Sequence, residues 1–203
     1  MQSNRTSIRF CILSTIMVPV LILPVVSRAQ SDTSAPPGSS QTNSGAQASA
    51  ADKHFVQAAL KGGMAEVKLG QLASQKGNSD DVKQFGQKMV EDHTKLGDQM
   101  KEVENQIGVT PPAMLSPTDK ALESKLEALS GDQFDKAYIR AMVKDPEKDL
   151  EDFQKEASTG TSATVKDAAA HGKQVIAAHL DMIQKIAQAH NVTTQSKNTS
   201  GAR

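Results

Sequence analysis

Apolar residues recur at intervals of three and four along the middle of the chain, and this spacing predicts amphipathic helices. Two stretches keep the spacing without a break. The first set is Val82, Gly86, Met89, His93, Leu96, Met100, Val103 and Ile107. The second set is Val165, Ala168, Gly172, Val175, His179, Met182, Ile186 and Ala189. No stretch shows the strict alternation of apolar and polar residues that is typical of a strand.

Glycine and proline residues divide this pattern into four helical stretches, at about residues 52–76, 79–107, 116–158 and 162–190. The third stretch has two predicted interruptions, at Ser130-Gly131 and at Pro146, because proline removes a backbone donor. Short connections at two of the three junctions favour antiparallel neighbours. The sequence therefore predicts an all-α fold, an antiparallel four-helix bundle with an interrupted third helix.

The beginning of the chain has the pattern of an export signal. Residues 1–29 have a basic start, a short apolar run and a small-residue ending at Ser27-Arg28-Ala29, so cleavage is predicted before Gln30. An uncleaved membrane anchor is the alternative, but the apolar run is short for a membrane span. We therefore expect an exported protein with no membrane span after cleavage, in the periplasm or associated with the outer membrane.

The chain on either side of the helical part is rich in small and polar residues and has no apolar periodicity, which predicts disorder. The predicted division is a signal peptide at 1–29, a disordered linker at 30–51, a helical-bundle domain at 52–191 and a disordered tail at 192–203.

Charge and composition exclude several function classes. The chain has 23 Lys and Arg against 23 Asp and Glu, and the two signs are interspersed. No basic stripe is available for phosphates, so nucleic-acid binding is disfavoured. The one cysteine, Cys11, lies in the signal peptide, which excludes disulfides and thiol chemistry after cleavage. No nucleophile elbow or Ser/His/Asp spacing supports a hydrolase.

Three predicted helices each place one ionisable residue in the middle of the buried stripe: Glu66, His93 and His179. A lone buried carboxylate would cost several kcal/mol, and an imidazole or a metal beside Glu66 would relieve that cost. Inward carboxylates and imidazoles from different helices are how bundles build iron or manganese sites. The alternative is structural: each histidine is a hydrogen-bonded core residue, and the Glu66–His93 pair fixes helix register.

Two methionines add a copper hypothesis. Met89 lies one turn before His93, and Met182 lies one turn after His179, so soft thioether groups accompany both imidazoles. The alternative for both methionines is gap-filling in the core. Copper is therefore the less favoured metal.

Four segments along the helical part carry a resemblance. They are Phe55-Val-Gln-Ala-Ala, Ala65-Glu-Val-Lys-Leu-Gly, Lys88-Met-Val-Glu-Asp-His-Thr-Lys and Ser130-Gly-Asp-Gln-Phe-Asp-Lys-Ala-Tyr. With them the chain resembles the bacterial "domain of unknown function 4142" family over about residues 52–189. The resemblance implies a ferritin-like four-helix fold in an exported protein, often labelled an outer-membrane protein, and it brings no established activity.

The positions that match the family are Glu66, Asp92, His93, Asp135 and His179. Where the family reads Met-Val-x-Asp-His, this chain ends the segment with Asp145-Pro146, so one inward imidazole is missing. A shared metal site is then weakened, remodelled around Asp145 or Asp149, or lost.

The paired Glu-x-x-His motif of di-iron bundles is also missing, because Val90 and Ile176 stand three residues before the two histidines. Ferroxidase activity is therefore not supported.

Two functions stay open. The first is a non-enzymatic structural or interaction module of the cell envelope that contacts an envelope protein partner. The alternative is a ferritin-like metal-binding or oxidoreductive protein that holds iron, manganese or zinc through Glu66, His93, His179 and Asp145. No catalytic residue is assigned, and the oligomeric state is not predicted.

Overall fold

A computed structural model describes residues 47–193, and all regular secondary structure within that range is helical. The helices are α1 (Ala50–Lys76), α2 (Asp80–Ile107), α3 (Pro117–Glu127), α4 (Gly131–Thr159) and α5 (Ala163–Ala189). The predicted all-α class is confirmed. The predicted signal peptide, most of the linker and most of the tail lie outside the described residues, and so does the side chain of Asp145.

Polar caps and one glycine set several of the helix ends. Ser49 caps α1: its hydroxyl accepts from Asp52 N at 3.1 Å, and the Asp52 carboxylate accepts from Ser49 N at 2.8 Å. This capping box satisfies two backbone donors that the first turn leaves free. The Ser116 hydroxyl caps α3 by accepting from Asp119 N at 3.1 Å, next to a proline in the first turn. Gly108 ends α2 in a left-handed conformation (φ 66°), which favours glycine.

The four long helices form two hairpins. Short turns at residues 77–79 and 160–162 join α1 to α2 and α4 to α5, so the helices of each hairpin run in opposite directions. The two hairpins meet where α2 packs on α5 and α1 packs on α4. The short α3 lies against α1 and α4.

The core consists of two apolar clusters. One contains Leu69, Phe85, Phe134, Tyr138 and Ile183, and the other contains Phe55, Leu96, Phe153, Val165 and Ile176. Each of α1, α2 and α5 contributes to both clusters. On each of these helices the ionisable residue in the middle of the stripe falls between the two contributions. The polar residues therefore share one level of the bundle.

The predicted buried stripe of α2 is confirmed except at Ile107, which is only partly buried. In α5, Val165, Gly172, His179 and Ile186 are buried as predicted. The intervening buried positions are Ala169, Ile176 and Ile183, each one residue later than predicted. At each of these places the predicted residue and the one after it are both apolar, so the spacing alone does not show which of the two is buried.

The predicted interruption at Ser130-Gly131 is confirmed, because α3 ends at Glu127 and α4 begins at Gly131. The predicted interruption at Pro146 is wrong, because α4 continues through this proline to Thr159. Proline removes one backbone hydrogen bond, and its ring crowds the carbonyl group four residues earlier, at a cost of about 3 kcal/mol. Buried Val143 and Phe153 anchor the helix on either side of it, which keeps the two halves in line.

Two glycines allow α1 and α2 to approach closely. A Cβ atom added to Gly70 would lie 2.8 Å from Gly86 O, and one added to Gly86 would lie 2.7 Å from Gly70 O. Both distances are shorter than a normal van der Waals contact. The atoms concerned are backbone oxygens, which cannot move aside as a flexible side chain can. Gly97, farther along α2, differs because an added Cβ would have no neighbour within 4 Å.

Substitution of these glycines by alanine should separate the two situations. Gly70→Ala or Gly86→Ala should lower the free energy of unfolding by about 1–3 kcal/mol, because the helices must move apart. Gly97→Ala should be neutral or raise it by up to about 1 kcal/mol, because alanine favours helix. Urea unfolding followed by circular dichroism measures both. Equal effects at Gly70 and Gly97 would contradict the close packing.

Two buried aspartates each bind the turn of the opposite hairpin. Asp135 of α4 accepts from the backbone N–H groups of Asn78 and Ser79, both at 2.9 Å, and from the Ser79 hydroxyl at 2.7 Å. Asp52 of α1 accepts from the backbone N–H groups of Thr161 at 3.0 Å and of Ser162 at 3.1 Å, and from the Thr161 hydroxyl. We call Asp52 and Asp135 the turn clasps.

Glu156 lies beside Asp52, and the surroundings shift the pKa of both carboxyl groups. Burial alone would raise the pKa of Asp52, but the hydrogen bonds from Thr161 and Ser49 lower it well below its usual range. Burial and the neighbouring Asp52 carboxylate raise the pKa of Glu156 to about 7. The folded protein thus favours an ionised Asp52 and a protonated Glu156.

Glu156→Gln should change how stability depends on pH. Because its folded pKa is raised, Glu156 contributes stability that is full below its unfolded pKa near 4.5 and is lost as pH rises through about 7. The variant should therefore unfold at a higher temperature than the parent at pH 8 and at a similar temperature at pH 4.5. Calorimetry measures both, with Glu151→Gln, an exposed position on the same helix, as the control. A parallel pH dependence in parent and variant would contradict this assignment.

Candidate functional site

A chain of polar side chains crosses the bundle between the two apolar clusters. Oε2 of Glu66 lies 2.9 Å from Nδ1 of His93, and Nε2 of His93 lies 3.1 Å from Nδ1 of His179. Nε2 of His179 lies 2.8 Å from Oδ2 of Asp92, and Lys88 donates to Asp92 Oδ1 at 2.9 Å. We call these five residues the polar chain. It runs from α1 through α2 and α5 and returns to α2.

The two ends of the polar chain lie in different surroundings. His93 and His179 are 3% and 1% exposed, so the middle is shielded from solvent. At one end the Lys88 side chain is half exposed and pairs with Asp92 one helical turn later. At the other end Glu66 lines a cavity. The chain therefore connects the outer surface to an internal space.

Three of the four residues that the sequence predicts as metal ligands are neighbours in this chain: Glu66, His93 and His179. The fourth, Asp145, lies in α4, and its side chain is outside the described residues. Among the side chains that the structure describes, no group of three or more His, Asp or Glu residues is arranged to hold a metal ion. The proposed ligand set stays a prediction.

Asp92 was harder to place from the sequence, because it directly precedes His93 and points about 100° away from it on a helix. It reaches His179 on α5 instead, while its neighbour His93 turns toward α1. The four-residue spacing from Lys88 and the match to the family were the available signals. Each of the two histidines thus has its own carboxylate.

The pKa values of the two imidazoles are shifted in opposite directions. Burial alone would lower the pKa of His93, but the carboxylates of Glu66, Asp92 and Asp149 outweigh burial and raise it. Burial lowers the pKa of His179, and the nearby charge of His93 adds to this, against the opposing effect of Asp92. The opposite shifts mean that His93 binds an additional proton more readily than His179 does.

The contact between Glu66 and His93 is close but poorly directed. The two atoms are 2.9 Å apart, yet Nδ1 of His93 has no hydrogen-bond partner of acceptable angle among the described residues. A hydrogen bond weakens steeply when its angle falls below about 120°. Glu66 and His93 thus form an ion pair in which Nδ1 of His93 makes no well-directed hydrogen bond.

Tyr138 is buried in the core cluster that borders the polar chain. It stacks on Phe134 and meets Phe85 edge to face, and Phe85 in turn meets the His179 ring edge to face. Its hydroxyl has no hydrogen-bond partner in the described part of the chain. Burial, and to a smaller degree the Glu66 charge, raise the pKa of Tyr138 well above its usual range. The hydroxyl therefore stays protonated.

A cavity of about 890 Å³ opens beside the Glu66–His93 end of the polar chain. Its lining comes from all four long helices, with Asp149 and Phe153 from α4 and Ile176 from α5. No pattern in the sequence indicates this cavity, because most of the residues that line it have the spacing of ordinary core or surface positions.

Residues 37–186 match the family described as "Domain of unknown function (DUF4142)", and the chain belongs to this family. The resemblance seen in the sequence is confirmed. The family description names no activity.

Two solved structures share the fold. A DUF305 fragment from Deinococcus radiodurans is 15% identical, with a TM-score of 0.60, over 71% of this chain and 97% of the other. A DUF305 protein from Streptomyces coelicolor, which carries the provisional name of a secreted protein, is 12% identical, with a TM-score of 0.61, over 72% and 97%. At this identity the likeness concerns the fold alone. No curated protein matches the sequence.

None of the helices in residues 47–193 combines the length and the apolar character that a bilayer-crossing helix needs.

Glu66→Gln should lower the pKa of His93, because the variant removes the nearest charge that opposes burial. Titration of the imidazole signals by NMR measures the shift directly. Asp98→Asn is the matched control, since it removes an exposed carboxylate from the same helix as His93. An unchanged His93 titration in Glu66→Gln would contradict the assigned ion pair.

Proposed function

We propose that this chain is an exported helical-bundle protein of the cell envelope, a structural or interaction module without catalytic activity. The observation that carries the proposal is the bond between the two imidazoles. Nε2 of His93 and Nδ1 of His179 face each other at 3.1 Å, with a carboxylate beyond each ring. Side chains that satisfy one another in this way fix the relative height of their helices.

The module presents exposed helix faces to a partner. Charged residues of both signs cover them in four-residue pairs, such as Glu91–Lys95 and Asp181–Lys185. Such pairs each add little to stability, so the surface is free to vary while the polar chain keeps the interior fixed. We infer that an envelope protein is the partner of this surface.

We further propose that the four long helices form an antiparallel bundle of the ferritin-like kind, with α3 as the interruption of the third stretch. The two hairpins and their α2–α5 and α1–α4 contacts support this arrangement. The signal-peptide pattern of residues 1–29 and the name of the Streptomyces relative support export, to the periplasm or the outer membrane. The division into signal peptide, linker 30–51, domain 52–191 and tail 192–203 belongs to the same proposal.

The second candidate is a metal-binding or oxidoreductive protein. The observation that favours it is Nδ1 of His93, a buried imidazole nitrogen without a well-directed partner. With Glu66, His179 and Asp145 it would form a set of nitrogen and oxygen donors, which suits iron, manganese or zinc. Copper is less favoured, since Met182 lies outside the buried stripe of α5.

Elemental analysis by mass spectrometry on the untagged protein, with His93→Ala and His179→Ala, tests both candidates. We expect no stoichiometric metal in any of the three proteins. Each variant should lose about 2–5 kcal/mol in free energy of unfolding, because truncation of a buried histidine leaves a cavity and, in His93→Ala, also leaves the buried Glu66 without its partner. His54→Ala, at an exposed position of α1, is the control and should cost less than about 0.5 kcal/mol.

Near-stoichiometric iron, manganese or zinc in the parent that disappears in both variants would overturn the structural proposal. It would establish the second candidate and identify its metal.

A further inference from the structure

The cavity exists because α1 and α2 lack side chains at one level. Gly62 lies one turn before Glu66 on α1, and Gly97 lies one turn after His93 on α2. Because the two helices are antiparallel and Glu66 faces His93, both glycines reach the same level of the hairpin. A Cβ atom at either position would have nothing within 4 Å. This glycine pair opens a space, whereas Gly70 and Gly86 bring the helices together.

Part of the cavity wall is apolar. This part includes the buried side chains of Phe55, Leu96, Met100, Phe153 and Ile176. The volume of about 890 Å³ lies within the range of roughly 300–1,000 Å³ that is typical of small-molecule sites. Such a space accepts the apolar body of a ligand.

The charges around the cavity are mostly negative. The carboxylates in the lining are Asp52, Glu66, Asp119, Asp149 and Asp152, and the lysines are Lys61, Lys148 and Lys155. Glu156 also lines the cavity, and its raised pKa of about 7 keeps it protonated at lower pH. Next to Glu66 stands His93, which is 3% exposed and whose Nδ1 lacks a well-directed partner. An anionic ligand would meet the Glu66 carboxylate, whereas a cation would find an acceptor there.

We propose that this cavity binds a small amphiphilic amine, a ligand with a primary ammonium group on an apolar body. The ammonium group donates to the carboxylate of Glu66, and the apolar body lies along Phe55, Leu96 and Ile176. Three ammonium hydrogens also leave a donor for a second acceptor in the lining. The proposal goes beyond the structural module, which needs no ligand.

Isothermal titration calorimetry with octylammonium, octanoate and octan-1-ol on the purified chain tests the inference. Octylammonium should bind saturably and at least about tenfold more tightly than either of the others, because it alone donates a charge-assisted hydrogen bond to the Glu66 carboxylate. Glu66→Gln should remove this preference for the ammonium group while binding of octan-1-ol changes less than about twofold.

Gly97→Leu tests the location of the site. Its side chain enters open space and favours helix, so the variant should stay folded and lose octylammonium affinity by at least about tenfold. Gln99→Leu is the matched control, because it adds the same side chain at an exposed position of α2 that does not line the cavity. This control should bind like the parent.

Three results would overturn the proposal: no saturable binding of octylammonium, equal binding of octanoate or octan-1-ol, or equal loss of affinity in Gly97→Leu and Gln99→Leu. None of these concerns the function proposed for the polar chain, which is tested by metal content and by unfolding. The two proposals therefore fail independently.

Discussion

The need to compensate a buried carboxylate constrains the rest of this structure. Glu66 loses hydration inside the bundle and recovers part of that free energy from His93. The second ring nitrogen of His93 contacts His179, and the second ring nitrogen of His179 contacts Asp92. Asp92 pairs with Lys88, whose side chain is half exposed to solvent. Three helices must hold one relative height for these contacts to form. A shift of one turn in any of them would leave a charge unpaired and would misalign both apolar clusters.

Much of the fold follows from the spacing of apolar residues. The stripe of α2 could be read almost completely, because polar residues flank it on both sides. The stripe of α5 could not be fixed to a single residue, since Ala168 and Ala169, like Met182 and Ile183, are equally apolar. The predicted interruption at Pro146 was wrong because the sequence does not show how firmly neighbouring helices hold α4 on either side of this proline. The polar level could be anticipated from Glu66, His93 and His179, since each stands alone within an apolar stripe.

Other parts of the site depend on information that a single sequence does not contain. Gly70 and Gly97 look alike as residues within helices, yet one contacts backbone and the other faces open space. The difference depends on which atoms of the neighbouring helix lie opposite each glycine. The role of Asp92 also could not be predicted from the sequence, because its partner His179 lies on a helix more than eighty residues later in the chain. Spacing identifies which residues share a face, but the partner of that face is a property of the tertiary structure.

The turn clasps have a consequence for the origin of this architecture. The same interval along the chain separates Asp52 from Asp135, Gly77 from Gly160, Ser79 from Ser162 and Val82 from Val165. The first member of each pair lies in the α1–α2 hairpin and the second at the equivalent place in the α4–α5 hairpin. Each aspartate binds the turn of the other hairpin, so the exchange is reciprocal, as it would be across a twofold axis. In these positions the chain resembles a dimer of helical hairpins joined into one polypeptide, with α3 and its loops as the link. In such a molecule each half supplies the carboxylate that binds backbone N–H groups in the turn of the other half.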